Sequence, residues 1–85
     1  MNTITFTEEA LSHLNEWKVS NPKILSKIVT LITDIASNPF TGLGKPEPLK
    51  HNLRGQWSRR ITDEHRIVYT VQETTILILS CRYHY

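Results

Sequence analysis

Residues Gln56–Tyr85 read QWSRRITDEHRIVYTVQETTILILSCRYHY, and the spacing of apolar residues within them decides the fold. Three runs rich in β-branched and aromatic residues, Gln56–Thr62, Arg66–Gln72 and Thr75–Tyr83, are separated only by short polar links around Asp63–His65 and Glu73–Thr74. Links this short join strands back to back, so an antiparallel meander is expected. Alternation then sorts the side chains. In the middle run Ile67, Tyr69 and Val71 form the more apolar face, leaving Arg66, Val68 and Thr70 on the other. In the last run Leu77, Leu79, Cys81 and Tyr83 share one face, and Ile76, Ile78, Ser80, Arg82 and His84 the second. Pairing of odd residues with odd is expected if the greasier faces are both covered, which puts Arg66 and His84 together on the opposite face. Ser58 and Arg60 part in the same way from Trp57 and Ile61, which read as core.

Toward the N-terminus the period changes from two residues to that of a helix. TITF, residues 3–6, alternates as a short half-buried strand. Thr7 then stands as an N-cap before two acids, and Ala10, Leu11, Leu14 and Trp17 fall on one helical face. Asn21 and Pro22 open a second helix, in which Ile24, Ile28, Leu31, Ile32 and Ile35 recur at helical spacing until Pro39. The expected class is α+β, one domain over residues 1–85, with two N-terminal helices packed on a small curved antiparallel β-sheet. Between Asn38 and Leu53 all periodicity stops, and a loop that long in a small domain tends to be functional. Within it Glu47 is flanked by Pro46 and Pro48, which stiffen the backbone that carries this carboxylate.

Composition narrows the classes of function. With 39% hydrophobic and 21% charged residues the chain is an ordinary globular protein. No apolar run approaches the roughly 20 residues of a membrane span, and the N-terminus lacks the features of a signal peptide, so a cytoplasmic location is expected. The lone Cys81 excludes an internal disulfide and reads as a small buried hydrophobe. His13, His51, His65 and His84 show no metal-ligand spacing, so neither a metal nor another cofactor is expected. Residues 1–44 carry three lysines and four acids, whereas 45–85 carry seven Lys or Arg and four acids, including all five arginines. That segregation suits a polyanionic partner, for which arginine is the better bidentate ligand. Chain ends usually fray, so the run CRYHY at 81–85, with its titratable and aromatic residues, is expected to belong to a site.

The segment GKPEPLKHNLRGQWSRRITDEHRIVYTV, residues 44–71, together with CRYHY, closely resembles the YoeB group of toxins from bacterial toxin–antitoxin pairs, within the RelE superfamily of small messenger-RNA endonucleases. Phe6 stands where members often carry Trp. The resemblance implies a RelE-like fold and a metal-independent endoribonuclease that cleaves translated mRNA in the ribosomal A site. It implies Glu47 as general base at the ribose 2′-OH, Arg66 as phosphate ligand and His84 as general acid to the leaving 5′-oxygen. Lys50 and Arg60 would bind RNA or phosphate, and Tyr85 would orient the substrate. The product would be a 2′,3′-cyclic phosphate. The implied partners are the ribosome with its rRNA, the mRNA and a YefM-like antitoxin, and a homodimer is compatible with the resemblance. Arg82 and His51 are further candidates for rRNA contact, while Arg59 is expected to pair with an acid such as Asp63 or Glu64.

Two other readings remain open on sequence. A non-catalytic superfamily toxin would act through protein contacts, for example on DNA gyrase, and would not need Glu47, Arg66 and His84 together. A plain nucleic-acid-binding module would be equally cationic.

Overall fold

Thr7 shows how the elements of this chain lock together. Its hydroxyl accepts from the amide of Ala10, capping the first helix, and donates to the carbonyl of Leu79 on the last strand. In the computed structural model, which describes residues 1–83, the order is β1 (Thr3–Phe6), α1 (Glu8–Ser20), α2 (Pro22–Ser37), β2 (Glu47–Pro48), β3 (Gln56–Arg60), β4 (Arg66–Gln72) and β5 (Thr75–Ser80). The sheet runs β1-β5-β4-β3-β2 across, with β1 parallel to β5 and every other neighbour antiparallel. The expected α+β class, two helices on a meander, is therefore what the chain adopts. Among the described residues no helix is long and apolar enough to cross a membrane.

Both helices start for local reasons. Glu8 and Glu9 place negative charge on the first turn of α1, where the peptide dipoles favour it. Asn21 ends α1 by donating its amide to the carbonyl of Trp17, and Pro22 opens α2, although the Asn21 side chain makes no capping bond. The core between helices and sheet is built around isoleucine: Ile28, Ile35, Ile61, Ile67, Ile76 and Ile78 are all fully buried. Each such side chain contributes about 1.5–3 kcal/mol of burial free energy. Phe6, opposite Ile78, packs against this cluster. Ala10 and Trp17 are the buried residues of α1, and Leu11, expected on the same face, is 48% exposed.

The predicted register of β5 is overturned. Tyr69 opposes Ile78 and Val71 opposes Ile76, so odd residues of β4 pair with even residues of β5, and Ile76 and Ile78 meet the helices. Both faces of this strand are aliphatic, so alternation carried no contrast from which to choose. A bulge then resets the phase: Val68 opposes Ser80, Leu79 is the extra residue, and Cys81 beyond it is fully buried. The strand ends at Ser80 rather than Tyr83, and Tyr83 is 54% exposed instead of anchoring an apolar face. β3 likewise ends at Arg60, because the amides of Ile61 and Thr62 both turn back to the carbonyl of His65.

Candidate active site

The long loop is held by an arginine. Arg59 lies on β3 between Trp57 and Ile61, on the face that meets the helices, and its side chain is 0% exposed. Its Nε donates to the Tyr69 hydroxyl at 3.2 Å, and Nη1 donates to Asp34 Oδ2 and to the Leu43 carbonyl. Nη2 donates to the carbonyls of Asn38 and Thr41. All three guanidinium nitrogens are thus engaged, which is what a buried cation needs. The expected pairing with Asp63 or Glu64 is therefore wrong, because burial of Arg59 turns its head toward α2. The Arg59 hydrogen bond, reinforced by the Leu43 amide, holds the Asp34 carboxyl below its ordinary value of 3.8. Burial raises the Tyr69 hydroxyl, which donates to the Pro39 carbonyl at 2.7 Å. Gly42, at φ +121°, is required here, since a Cβ would meet Asp34 Oδ2 at 2.1 Å.

Beyond this clamp the loop runs along β3. The Arg60 amide donates to the Gly44 carbonyl, and the Leu49 amide to the Gln56 carbonyl at 2.9 Å. Between them Glu47 and Pro48 form the two-residue edge strand β2, which reads as loop in the sequence because prolines mask it. Glu47 opposes Ser58, Ser58 opposes Val68, and Val68 opposes Ser80, so one row crosses four strands on the face away from the helices. Next to that row Arg60 opposes Arg66.

Glu47 and Arg66 reach each other over β3. Glu47 Oε1 lies 3.8 Å from Arg66 Nη1, with the Glu47 side chain 53% exposed and that of Arg66 only 14%. Two directly opposed arginines repel, and a single carboxylate offsets only one of their charges, so the patch favours a further anion. Among the described residues, Ser58 Oγ and Arg60 Nε are buried without a hydrogen-bond partner. Lys50 is exposed and borders, with Glu47, His51 and Leu53, a recess of about 350 Å³. Arg60 also borders a separate recess of about 360 Å³ with Lys27 and Lys45.

The structure thus brings Glu47 and Arg66 together, sets Arg60 opposite Arg66, and places Lys50 beside Glu47. His84 and Tyr85 lie outside the described residues. The Tyr83 carbonyl accepts from the Arg66 amide at 3.1 Å, so the backbone at Tyr83 lies alongside that arginine. Arg82, expected on the Arg66 face, instead bonds Glu16 of α1 at 2.7 Å and lies 4.7 Å from the centre of the Trp17 ring. Arg82 lies beyond the end of β5 at Ser80, where strand alternation no longer sets the direction of a side chain. His51 opens the short turn His51–Leu53 and has a φ of 58°. Sequence reasoning missed the clamping role of Arg59. The signal was its parity, since it alternates in phase with the core residues Trp57 and Ile61. Cys81 is buried as expected, and burial pushes its thiol up to about 12.

The site can be set beside known proteins. Residues 6–85 match the family described as YoeB-like toxin of bacterial type II toxin-antitoxin system. The chain is 51% identical over 82 residues to Toxin YoeB of Escherichia coli (strain K12), an alignment covering 96% of this chain and 98% of that one. The solved structure of the YoeB dimer from Staphylococcus aureus is similar with a TM-score of 0.90 at 45% identity, over 99% of this chain and 98% of that one. The YoeB-YefM complex from Staphylococcus aureus is similar with a TM-score of 0.89 at 45% identity, over 100% and 99%. On sequence and fold alike, the chain belongs to the YoeB-like toxins of bacterial type II toxin–antitoxin systems.

Proposed function

We propose that this toxin is a ribosome-dependent endoribonuclease that cuts translated mRNA in the ribosomal A site by driving a ribose 2′-OH onto its adjacent phosphate. The observation that carries this reading is the approach of Glu47 to Arg66 across β3, 3.8 Å apart on a face lined by a second arginine. The 2′-OH is a nucleophile already in the substrate, so a base, an acid and a cation suffice. Glu47 takes the 2′-OH proton, Arg66 binds the phosphate and its developing charge, and His84 protonates the leaving 5′-oxygen. The oxygen–phosphorus bond that forms closes a 2′,3′-cyclic phosphate, and the one that breaks leaves a 5′-OH. No metal enters this scheme.

Lys50 and Arg60 hold flanking phosphates in this reading, and Tyr85 orients the nucleotide beside His84. The working location is the cytoplasm, where ribosomes are. A protein that cuts its own cell's messages needs restraint, and the relative solved with YefM supports a YefM-like antitoxin as partner. The relative solved as a dimer supports self-association.

The test is induction in a bacterial host followed by mapping of mRNA 5′ ends. New ends within codons of translated messages, absent with Glu47→Gln, are expected. Growth arrest with messages left intact would favour a toxin acting through protein contacts.

A further inference from the structure

After the bulge the backbone of Cys81–Tyr83 leaves the regular ladder, and side chains take over its hydrogen bonds. The Cys81 amide donates to Nδ1 of His13 on α1 at 3.0 Å, and the Tyr83 amide donates to Nδ1 of His65, in the β3–β4 turn, at 2.8 Å. The Cys81 carbonyl accepts from Trp17 Nε1 at 2.9 Å, and the Tyr83 carbonyl accepts from the Arg66 amide at 3.1 Å. Two imidazoles thus receive alternate amides of one segment. The rings also support one another: His65 meets Trp17 edge-on at 4.8 Å, and its other neighbour, the Tyr83 ring, lies at 5.2 Å.

An imidazole nitrogen that accepts a backbone N–H carries its lone pair there, so each ring holds its proton on Nε2. For His65 that proton faces Glu64 Oε1 at 3.3 Å. Tyr83 sits at φ 63°, a left-handed conformation that is unfavourable for a non-glycine residue and persists only where neighbours hold it. The bonds at Cys81 and Tyr83 are what hold it.

We propose that His13 and His65 are positioning residues, two neutral imidazoles that fix Cys81–Tyr83 beside β4 so that the chain passes Arg66 on a single path into the residues that follow. The inference rests on the functional reading above, in which His84 and Tyr85 act at the phosphate bound by Arg66. A hydrophobic ring or aliphatic side chain at either position would keep the packing but orphan an amide. Asparagine places a carbonyl oxygen about where Nδ1 stands and would restore the acceptor.

The test compares His13→Leu and His65→Leu with His13→Asn and His65→Asn. Amide exchange is measured at Cys81 and Tyr83, with Tyr69 in β4 as internal reference, alongside cleavage on programmed ribosomes. Each leucine variant should raise exchange at its own amide by about tenfold or more, the scale of one lost hydrogen bond. Cleavage should fall by at least as much while Tyr69 stays protected, and the asparagine variants should recover both. Unchanged exchange in the leucine variants would overturn the proposal, and so would asparagine variants as defective as leucine ones. If His65→Leu fails to fold, nitrogen-15 spectra of the parent decide instead, since a proton on Nδ1 of either ring at neutral pH is incompatible with the proposal. Were the parent itself unable to cut mRNA, the functional reading would fall, and the exchange contrast would still decide whether the imidazoles hold the segment.

Discussion

Glu47 and Arg66 sit on strands that are not neighbours, yet their side chains approach to 3.8 Å over the intervening β3. The carboxylate rides on an edge strand stiffened by two prolines, and the guanidinium rises from a strand at the centre of the sheet. Two rigid supports place a carboxylate and a guanidinium at a fixed separation.

Glu47→Gln should lower the cleavage rate by about 10²–10⁴-fold, the usual contribution of a positioned acid–base group, and Arg66→Gln by about 10²–10³-fold, the scale of losing a donor to developing charge. The unfolding midpoint of Glu47→Gln should stay close to the parent's, because an ion pair whose carboxylate is half-exposed contributes only about 0–1 kcal/mol. Arg66→Lys should rescue little, since an ammonium lacks the planar fork that binds phosphate. Single-turnover cleavage with parallel thermal melts checks both halves.

Arg59→Met should behave in the opposite way. It leaves Asp34 without its cation and deprives the carbonyls of Asn38, Thr41 and Leu43 of donors. Breaking one side of a buried pair costs about 3–5 kcal/mol. For a domain of this size that is a fall in Tm on the order of 15 °C or more. Urea denaturation reads the loss directly, and a melt indistinguishable from the parent's would show the clamp to be dispensable.

Acidification should act through the same clamp. The Asp34 carboxyl is depressed below 3.8 in the folded protein, first by the Arg59 hydrogen bond and then by the Leu43 amide. Below the ordinary value the unfolded chain therefore binds this proton more readily than the folded one. The stabilisation is full above about pH 4 and is lost as pH falls through the depressed value. Asp34→Asn should be less stable than the parent at neutrality but lose less between about pH 4 and about pH 2.5. Urea midpoints across that range should converge on acidification, and parallel curves would exclude Asp34 as a source of the acid limb.

Cys81 should resist alkylation in the native state. It is fully buried and its thiol is pushed up to about 12, so almost no thiolate is available near neutrality. Iodoacetamide should modify it at a rate set by opening of the structure, followed by mass spectrometry, and immediate reaction would contradict the burial of this segment.

Much of the fold was legible because local chemistry and global pattern agree. Thr7 before two acids, Asn21 before Pro22, and the alternation of Ile67, Tyr69 and Val71 each named an element that forms. The candidate site was partly legible too, since parity alone separated Arg66 from the core and the prolines singled out Glu47. Other features leave no local mark. β5 offers isoleucine on one face and leucine on the other, so its phase was decided by packing, and the bulge at Leu79 reset it. Arg59 finds its partner 25 residues away on α2, a distance over which sequence spacing says nothing. The imidazole bonds to Cys81 and Tyr83 use backbone donors, which every residue has, so no residue pattern announces them.

The most direct test of the account is cleavage of a message programmed on ribosomes with a single 2′-deoxy sugar at the mapped cut site. If Glu47 activates the 2′-OH beside a phosphate held by Arg66, the deoxy message stays intact at that position, and the all-ribose message yields a 2′,3′-cyclic phosphate and a 5′-OH. Cutting of both messages at equal rates would contradict the account.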